Sequence, residues 1–353
     1  MPRKNAGKSY LPIVQKADNF PHDGDPSSSY YELIFEGDDE QVVHGYLLPE
    51  TVDKMPWTSS FEISHSHSHQ EEEESRNKRR GRRRTVKVLD SSKGKDPARA
   101  YSAAFAELVD RCIAQDTFRT ISKTHSEPFR ILSYYSRGSK DGEAAGVVTM
   151  ERFLAPLFGI LLQGAHMIAY VRSRATEDDS GVIHGLWIPR RAKHLFSSPG
   201  MLDATVAGGI PSGTTPLQTI IREAEEEASF PPDLVRTRVR STGVLSYISS
   251  TSPSHGWPGE VGLFCPGLIY TYDMELPEDV VPKPHDGEVG SFTLMSVGDV
   301  QAALLRDEFK PDAAVVLVAF LVRHGVVTAD NEPNFVRLHD HLHRRLPFRV
   351  AEG

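Results

Sequence analysis

Apolar residues recur along the chain with two different periods, and the switches between them outline its elements. In the stretch 98–115, Tyr101, Phe105, Leu108, Val109 and Cys112 repeat at helical spacing, which predicts a helix with one buried side. From 216 to 228, Leu217, Ile220, Ile221, Ala224 and Ala228 share a face of a second helix. Further helices are predicted over 297–305 and 313–324. Strand-like runs lie at 30–35, 42–48, 166–172, 184–190, 239–247 and 268–274. The runs at 166–172 and 184–190 flank a predicted turn at 177–181, so they read as a strand pair. Residues 202–207 then lead into a glycine-rich turn, and strands interleaved with helices from there on predict an α/β class.

The second helix carries its own start and stop signals. Thr215 is a good N-cap, Pro216 suits the first helical position and Gln218 completes a capping box, while Pro231 and Pro232 limit the far end. Its polar side is unusual. Glu223, Glu226 and Glu227 share one stripe by their i, i+3 and i+4 relation, and like charges so placed destabilise a helix by roughly 0.2–0.5 kcal/mol per pair. A divalent cation reverses that sign. Oxygen ligands suit Mg²⁺ or Mn²⁺, and no cysteine-histidine set for zinc is evident. A solvated acidic face is the plain alternative for the cluster alone.

The glycines ahead of the helix change that balance. Laid from Gly208, the chain resembles the Nudix hydrolases, whose signature runs Gly, five residues, Glu, seven residues, Arg-Glu, an apolar residue, any residue, Glu-Glu, any residue, Gly and an apolar residue. Arg222, Glu223, Ala224, Glu226, Glu227 and Phe230 fall in register, whereas Thr214 replaces the first Glu and Ser229 the later Gly. The resemblance implies a Nudix α/β/α sandwich in which Glu223, Glu226 and Glu227 hold the metals and Arg222 orients the carboxylates. It further implies that Glu288, in Asp286-Gly287-Glu288-Val289, joins the metals as ligand or base. Ser229 asks only that the helix end without a left-handed glycine.

The flanks narrow the resemblance to Nudix proteins related to thiamine pyrophosphokinase, a group with its own N-terminal domain. The similar segments are 9–20, 150–172, 186–191, 199–209, 272–277, 286–289 and the tail 309–348. This implies cleavage of thiamine diphosphate, or its oxidised oxo and oxy forms, to the monophosphate and phosphate. With the chain ending at Gly353, no kinase domain is expected. The expected organisation is a smaller N-terminal α+β domain over 1–150, packed on the Nudix domain over 151–353.

Other candidates follow from what a diphosphate needs. Gly208 and Gly209 offer backbone N–H groups to phosphate, and Arg190 and Arg191, after an apolar strand, offer charge-assisted hydrogen bonds. Trp187, Tyr170 and Trp257 are candidates for stacking on a ring. Glu260, in a Gly/Pro-rich loop, reads more readily as a surface residue than as a second distal carboxylate. His339, His341 and His343 alternate along a predicted helix, share no face and are expected at the surface. A nucleoside diphosphate derivative such as ADP-ribose would suit the same helix, and a non-catalytic Nudix-shaped binding module is a further alternative that Thr214 favours.

Composition sets limits on all this. In the 353 residues, 39% are hydrophobic, enough for cores, and no apolar run approaches a membrane span. Two distant cysteines, Cys112 and Cys265, make a disulfide framework unexpected, and with no secretory leader a cytoplasmic protein is expected. A net charge of −8 argues against nucleic-acid coating, so the expected partner is a small-molecule diphosphate, with neither nucleic acid nor membrane. Charge is concentrated between about 59 and 95, where alternating Ser-His, then Glu71 to Glu74, then an Arg-rich run read as a disordered insertion rather than a metal or localisation segment.

Overall fold

The computed structural model describes residues 9–38, 42–65, 83–134, 146–173, 182–253 and 257–348. The chain divides into two compact units, one of residues 1–19, 163–258 and 267–345, the other of 20–162, 259–266 and 346–353. The first helix, α1 (Leu11–Ala17), thus belongs with the larger unit although a long stretch of chain separates them.

The smaller unit is built on a four-stranded sheet in the order β2-β1-β4-β3, from β1 (Tyr31–Phe35), β2 (Gly45–Leu47), β3 (Phe61–Ser64) and β4 (Thr85–Val88). Short α2 (Pro49–Lys54) follows β2, and α3 (Pro97–Gln115) buries Tyr101, Phe105, Leu108, Val109 and Cys112, the face its periodicity predicts. The ribbon of β5 (Pro128–Arg130) and β6 (Thr149–Glu151), with α4 (Ala155–Phe158), completes the unit. At Gly159, φ is +58° and a Cβ would sit 2.2 Å from the Tyr46 carbonyl, so only glycine fits this join. The expected disordered stretch is structured at both ends: β3 and β4 pair antiparallel from Phe61↔Val88 to Ser64↔Thr85. Phe61, Val86 and Val88 alternate with polar residues and reach the core, which the nearby charge runs obscured. Residues 66–82, with the Glu run and all of the Arg-rich run except Arg83 and Arg84, lie outside the described residues.

The larger unit is a sandwich around a six-stranded sheet of order β10-β11-β7-β8-β12, with β9 paired to β7. Its strands are β7 (Leu162–Arg172), β8 (Ile183–Arg191), β9 (Val206–Gly209), β10 (Val239–Ser250), β11 (Phe264–Glu275) and β12 (Val289–Met295). The predicted β7–β8 pair forms antiparallel, through Tyr170↔Leu186 and Val171↔Gly185. Strand alternation assigns the layers. Ala165, Met167, Ala169 and Val171 of β7 join Ile220, Ala224 and Ala228 of α5 (Pro216–Ala228) in one core. Short α6 (Pro232–Arg238) adds Val235 to it. Ile168 and Tyr170 face the other way and join the core of α1, α7 (Val297–Leu305), α8 (Pro311–Arg323) and α9 (Phe335–Leu342). Every residue of α8 from Ala313 to Leu321 is buried, as expected for a helix apolar all round.

One expected surface residue proves internal. His341 is 8% exposed, with Nδ1 2.6 Å from Asp18 Oδ2, while Arg344 donates to Asp18 Oδ1 at 2.9 Å and the Ile248 N–H to the same oxygen at 2.9 Å. Asp18 arrives with α1, from the far end of the sequence, so helical periodicity around His341 alone could not show its partner. Among the described residues, no helix is long and apolar enough to cross a membrane.

Candidate metal and diphosphate site

The α5 helix begins as its residues dictate. The Gln218 N–H donates to Thr215 Oγ1 at 3.2 Å and the Thr215 N–H donates to Gln218 Oε1 at 2.9 Å, closing the capping box over Pro216 at the first turn. At its far end Ser229 adopts a left-handed conformation, φ 56°, while its own N–H reaches the Glu225 carbonyl and that of Phe230 the Ala224 carbonyl. The helix thus ends without a left-handed glycine, as expected, but keeps the left-handed turn on the serine. Buried Phe230 needs that turn to reach the core, and Ser229 accepts the strain glycine would avoid.

The last carbonyls of α5 are not left to water. The Lys283 N–H donates to the Ala228 carbonyl at 3.0 Å and the Asp286 N–H to the Glu226 carbonyl at 3.2 Å, and the Ser229 hydroxyl donates to the Lys283 carbonyl. These bonds dock the 283–288 loop on the helix. Glu288 follows at once, its N–H turned back to Asp286 Oδ1 and its carbonyl accepting from the Ala192 N–H at 2.8 Å.

The carboxylates differ in setting. Glu227 is 8% exposed and Oε2 accepts the Ala207 N–H at 3.0 Å. Burial pushes its carboxyl well above the usual range; the Ala207 bond opposes this, and the charges of Glu223, Asp203 and Glu288 reinforce it. Those three acids are therefore near enough for their charges to act on the buried one. Glu223 lies against Gly208, where an added Cβ would be 2.4 Å from its Cγ. Arg222 donates to Glu223 at 2.7 Å and to the half-exposed Glu226 at 3.3 Å, which restrains both without neutralising Glu227. A buried carboxylate among like charges, with oxygen donors only, fits a hard divalent cation that would reverse the penalty.

Gly208 and Gly209 sit elsewhere than expected. They are strand residues of β9, opposite Ala165 and Gly164 of β7, not part of a phosphate-cradling turn. What Gly208 supplies is room for Glu223. The turn proper is 211–214, closed by the Thr214 N–H to the Pro211 carbonyl, with Gly213 at φ +86° and the Thr214 hydroxyl also on Pro211. The two arginines also have work to do. Arg191 donates to Asp203 Oδ2 at 2.9 Å and to the Ser197 carbonyl, and exposed Arg190 to the Gly200 carbonyl at 2.7 Å.

Trp187 is opposite Leu294 in the β8–β12 pair, on the α5 side of the sheet, and its buried indole N–H has no partner among the described residues. Tyr170 faces the other layer, packed on Phe320 and His324 with its hydroxyl on Glu275, and Trp257 meets Phe196 edge-on. Glu260 belongs to the smaller unit, where it accepts the N–H groups of Arg119 and Thr120 at 2.8 and 3.0 Å. Asp203 escaped the sequence reading. An acid between Leu202 and Ala204, in an otherwise apolar approach to β9, was its only signal.

Residues 171–320 match the model of the NUDIX domain. The chain is 37% identical over 203 residues to the uncharacterized protein YJR142W of Saccharomyces cerevisiae, covering 57% of this chain and 58% of that protein. It is 34% identical over 200 residues to Nudix hydrolase 20, chloroplastic, of Arabidopsis thaliana, 56% of this chain and 48% of the relative. The chain thus spans about half the length of the curated relatives it matches. Among solved structures, the NUDIX domain of Shewanella oneidensis NrtR complexed with ADP ribose matches 48% of this chain and 91% of its own at 14% identity, with a TM-score of 0.33.

Proposed function

We propose that the NUDIX domain hydrolyses a diphosphate with Mg²⁺ or Mn²⁺, and that the substrate is thiamine diphosphate or one of its oxidised oxo or oxy forms, giving the monophosphate and phosphate. The observation that carries the hydrolytic reading is the burial of Glu227 among Glu223, Asp203 and Glu288, a charge arrangement with no structural benefit of its own. Glu223, Glu226, Glu227 and Glu288 are the residues that would hold the cations. When bound, the metal supplies charge neutralisation for the phosphate oxygens and a more acidic water.

The chain's own residues supply the rest. Arg222 keeps Glu223 and Glu226 aligned. Exposed Glu288 has no ion-pair partner in the described structure, and serves as the base that takes the proton of the attacking water. Water oxygen bonds to the terminal phosphorus, and the bridging oxygen leaves with the monophosphate. Of the remaining candidates, Trp187 shares the α5 side of the sheet and keeps an indole N–H for the organic group, whereas Arg190 falls on the alternate face of β8, bridged to Leu202, and Arg191 is engaged by Asp203. The thiamine assignment rests on the similar segments outside the α5 motif.

The test is chromatographic product analysis with thiamine diphosphate, its oxo and oxy forms, and ADP-ribose, with and without Mg²⁺. Metal-dependent formation of thiamine monophosphate or its oxidised counterpart, lost in both Glu226→Gln and Glu227→Gln, is expected. Turnover of ADP-ribose alone rejects the thiamine assignment, and absence of any turnover rejects hydrolysis.

A further inference from the structure

The sheet face opposite α5 carries a cavity of about 580 Å³, walled by the adjacent strands β10, β11 and β7 and the end of α6. Strand alternation puts it there. Tyr170 of β7 belongs to the α8 core, and on β11 Asp273 and Glu275 alternate with Tyr272 and Met274, which pack under α5. On β10, Val239 joins the α5 core, so Arg240 and Thr242 take the other side. Gly243, at φ +122°, a conformation that favours glycine, then shifts the alternation, and Leu245 and Tyr247 continue along the α8 side. The kink is tied down where the Thr242 hydroxyl donates to Thr271 Oγ1 at 2.9 Å and the Thr271 hydroxyl to the Gly243 carbonyl at 3.1 Å.

The acids of this cavity already have cations. Arg323 donates to Asp273 at 2.7 Å and His324 pairs with the same carboxylate at 3.0 Å, while Glu275 accepts from Arg172 at 3.1 Å and from the Tyr170 hydroxyl at 3.3 Å. Its arginines have no such partners. Arg238 makes no hydrogen bond or ion pair among the described residues. Arg240 donates through Nη1 to the carbonyls of Thr237 and Val239, at 3.2 and 3.0 Å, and meets no carboxylate among the described residues. Those backbone bonds hold the guanidinium in place ahead of any ligand, which lowers the cost of ordering it on binding. Arg236, outside the cavity on the same short helix, is by contrast paired with Asp233 at 2.9 Å.

Charge balance decides the kind of ligand. The guanidiniums of Arg172, Arg238, Arg240 and Arg323 meet the carboxylates of Asp273 and Glu275, which leaves an excess of two positive charges in a chain whose net charge is −8. A phosphate monoester carries about −1.5 to −2 near neutrality, and its oxygens accept paired bonds from guanidinium forks. Inorganic phosphate would leave most of the volume empty, whereas cavities of about 300–1,000 Å³ hold small organic ligands. We propose that Arg238 and Arg240 bind the phosphoryl group of a phosphate monoester whose organic part lies along Thr242 and Tyr170. This second site is on the sheet face opposite the α5 carboxylates, and it does not depend on the hydrolytic reading. A monophosphate released by that hydrolysis and a nucleoside monophosphate share the head group.

Calorimetric titration of the full chain in EDTA, which keeps cations off the α5 carboxylates, tests the site. The probes are thiamine monophosphate, AMP and glucose 6-phosphate, with thiamine, adenosine, glucose and inorganic phosphate as their parts. At least one ester is expected to bind about tenfold or more tighter than either of its parts, and the ester that does so identifies the source. Arg238→Gln and Arg240→Gln, both at exposed positions, are each expected to weaken that ester by about tenfold, and Arg236→Gln to leave it unchanged. Failure of all three esters, or an ester no tighter than inorganic phosphate, overturns the proposal. So does equal weakening by Arg236→Gln, which would mark a general attraction of positive charge rather than a site. Ester binding in a protein that turns over no diphosphate supports this site and rejects only the hydrolytic reading.

Discussion

Glu227→Gln isolates the charge on which the metal reading depends. The amide retains an oxygen for the Ala207 N–H, which donates to Glu227 Oε2 at 3.0 Å, so the change removes charge with little change of shape. Glu227 has its pKa raised by burial, and by Glu223, Asp203 and Glu288 against the Ala207 bond. For an acid whose folded value lies above its unfolded 4.5, the extra stability is complete below about pH 4.5 and is lost as pH rises through the folded value. Each unit of elevation is worth about 1.4 kcal/mol. Metal-free wild type should therefore lose stability from about pH 4.5 upward, and the Gln variant should lose less, standing above it near neutrality. In a unit of this size 1 kcal/mol moves the melting midpoint by roughly 2–4 °C. Mg²⁺ reverses the order, since a ligand at a hundred times its dissociation constant adds about 2.7 kcal/mol to the protein that binds it. Scanning calorimetry of both proteins across acid to neutral pH, with and without Mg²⁺, measures every term. A variant that is less stable than wild type without metal near neutrality, or Mg²⁺ raising both midpoints equally, refutes the reasoning.

Three further changes probe the frame around that charge. Gly208→Ala drives a methyl into Glu223, 2.4 Å from its Cγ, and should abolish Mg²⁺-induced stabilisation while costing about 1–3 kcal/mol of folding stability, read by calorimetry. Asp18→Ala removes the buried carboxylate that meets His341 at 2.6 Å and Arg344 at 2.9 Å, and should cost about 3 kcal/mol in denaturant unfolding. Ser229→Gly relieves the left-handed helix end and should stabilise by about 0.5–1 kcal/mol, less whatever its exposed bond to the Lys283 carbonyl contributes, measured the same way.

The α5 helix was legible because its determinants are local. Thr215, Pro216 and Gln218 specify its start within four residues, and the apolar stripe of Ile220, Ala224 and Ala228 specifies which side is buried. The glycines misled for the opposite reason. A Gly-Gly pair before a helix reads as a turn, but here its use is steric and non-local, because Glu223 of the following helix occupies the space a Cβ at Gly208 would need. Likewise β3 and β4 were hidden by the charge runs near them, although Phe61, Val86 and Val88 carried the strand alternation throughout.

Sequence alone determined α3, α5, α7 and α8 and the strand pair of β7 and β8, and it nominated the carboxylates at 223, 226, 227 and 288, since periodicity, capping and motif spacing act between neighbours in the chain. Tertiary structure decided which carboxylate is buried, that Asp203 stands among them, that Arg191 is held by that aspartate, and that His341 and His166 are internal. Each depends on a desolvated contact between segments that only folding brings together, and burial, unlike spacing, is a property of the whole unit.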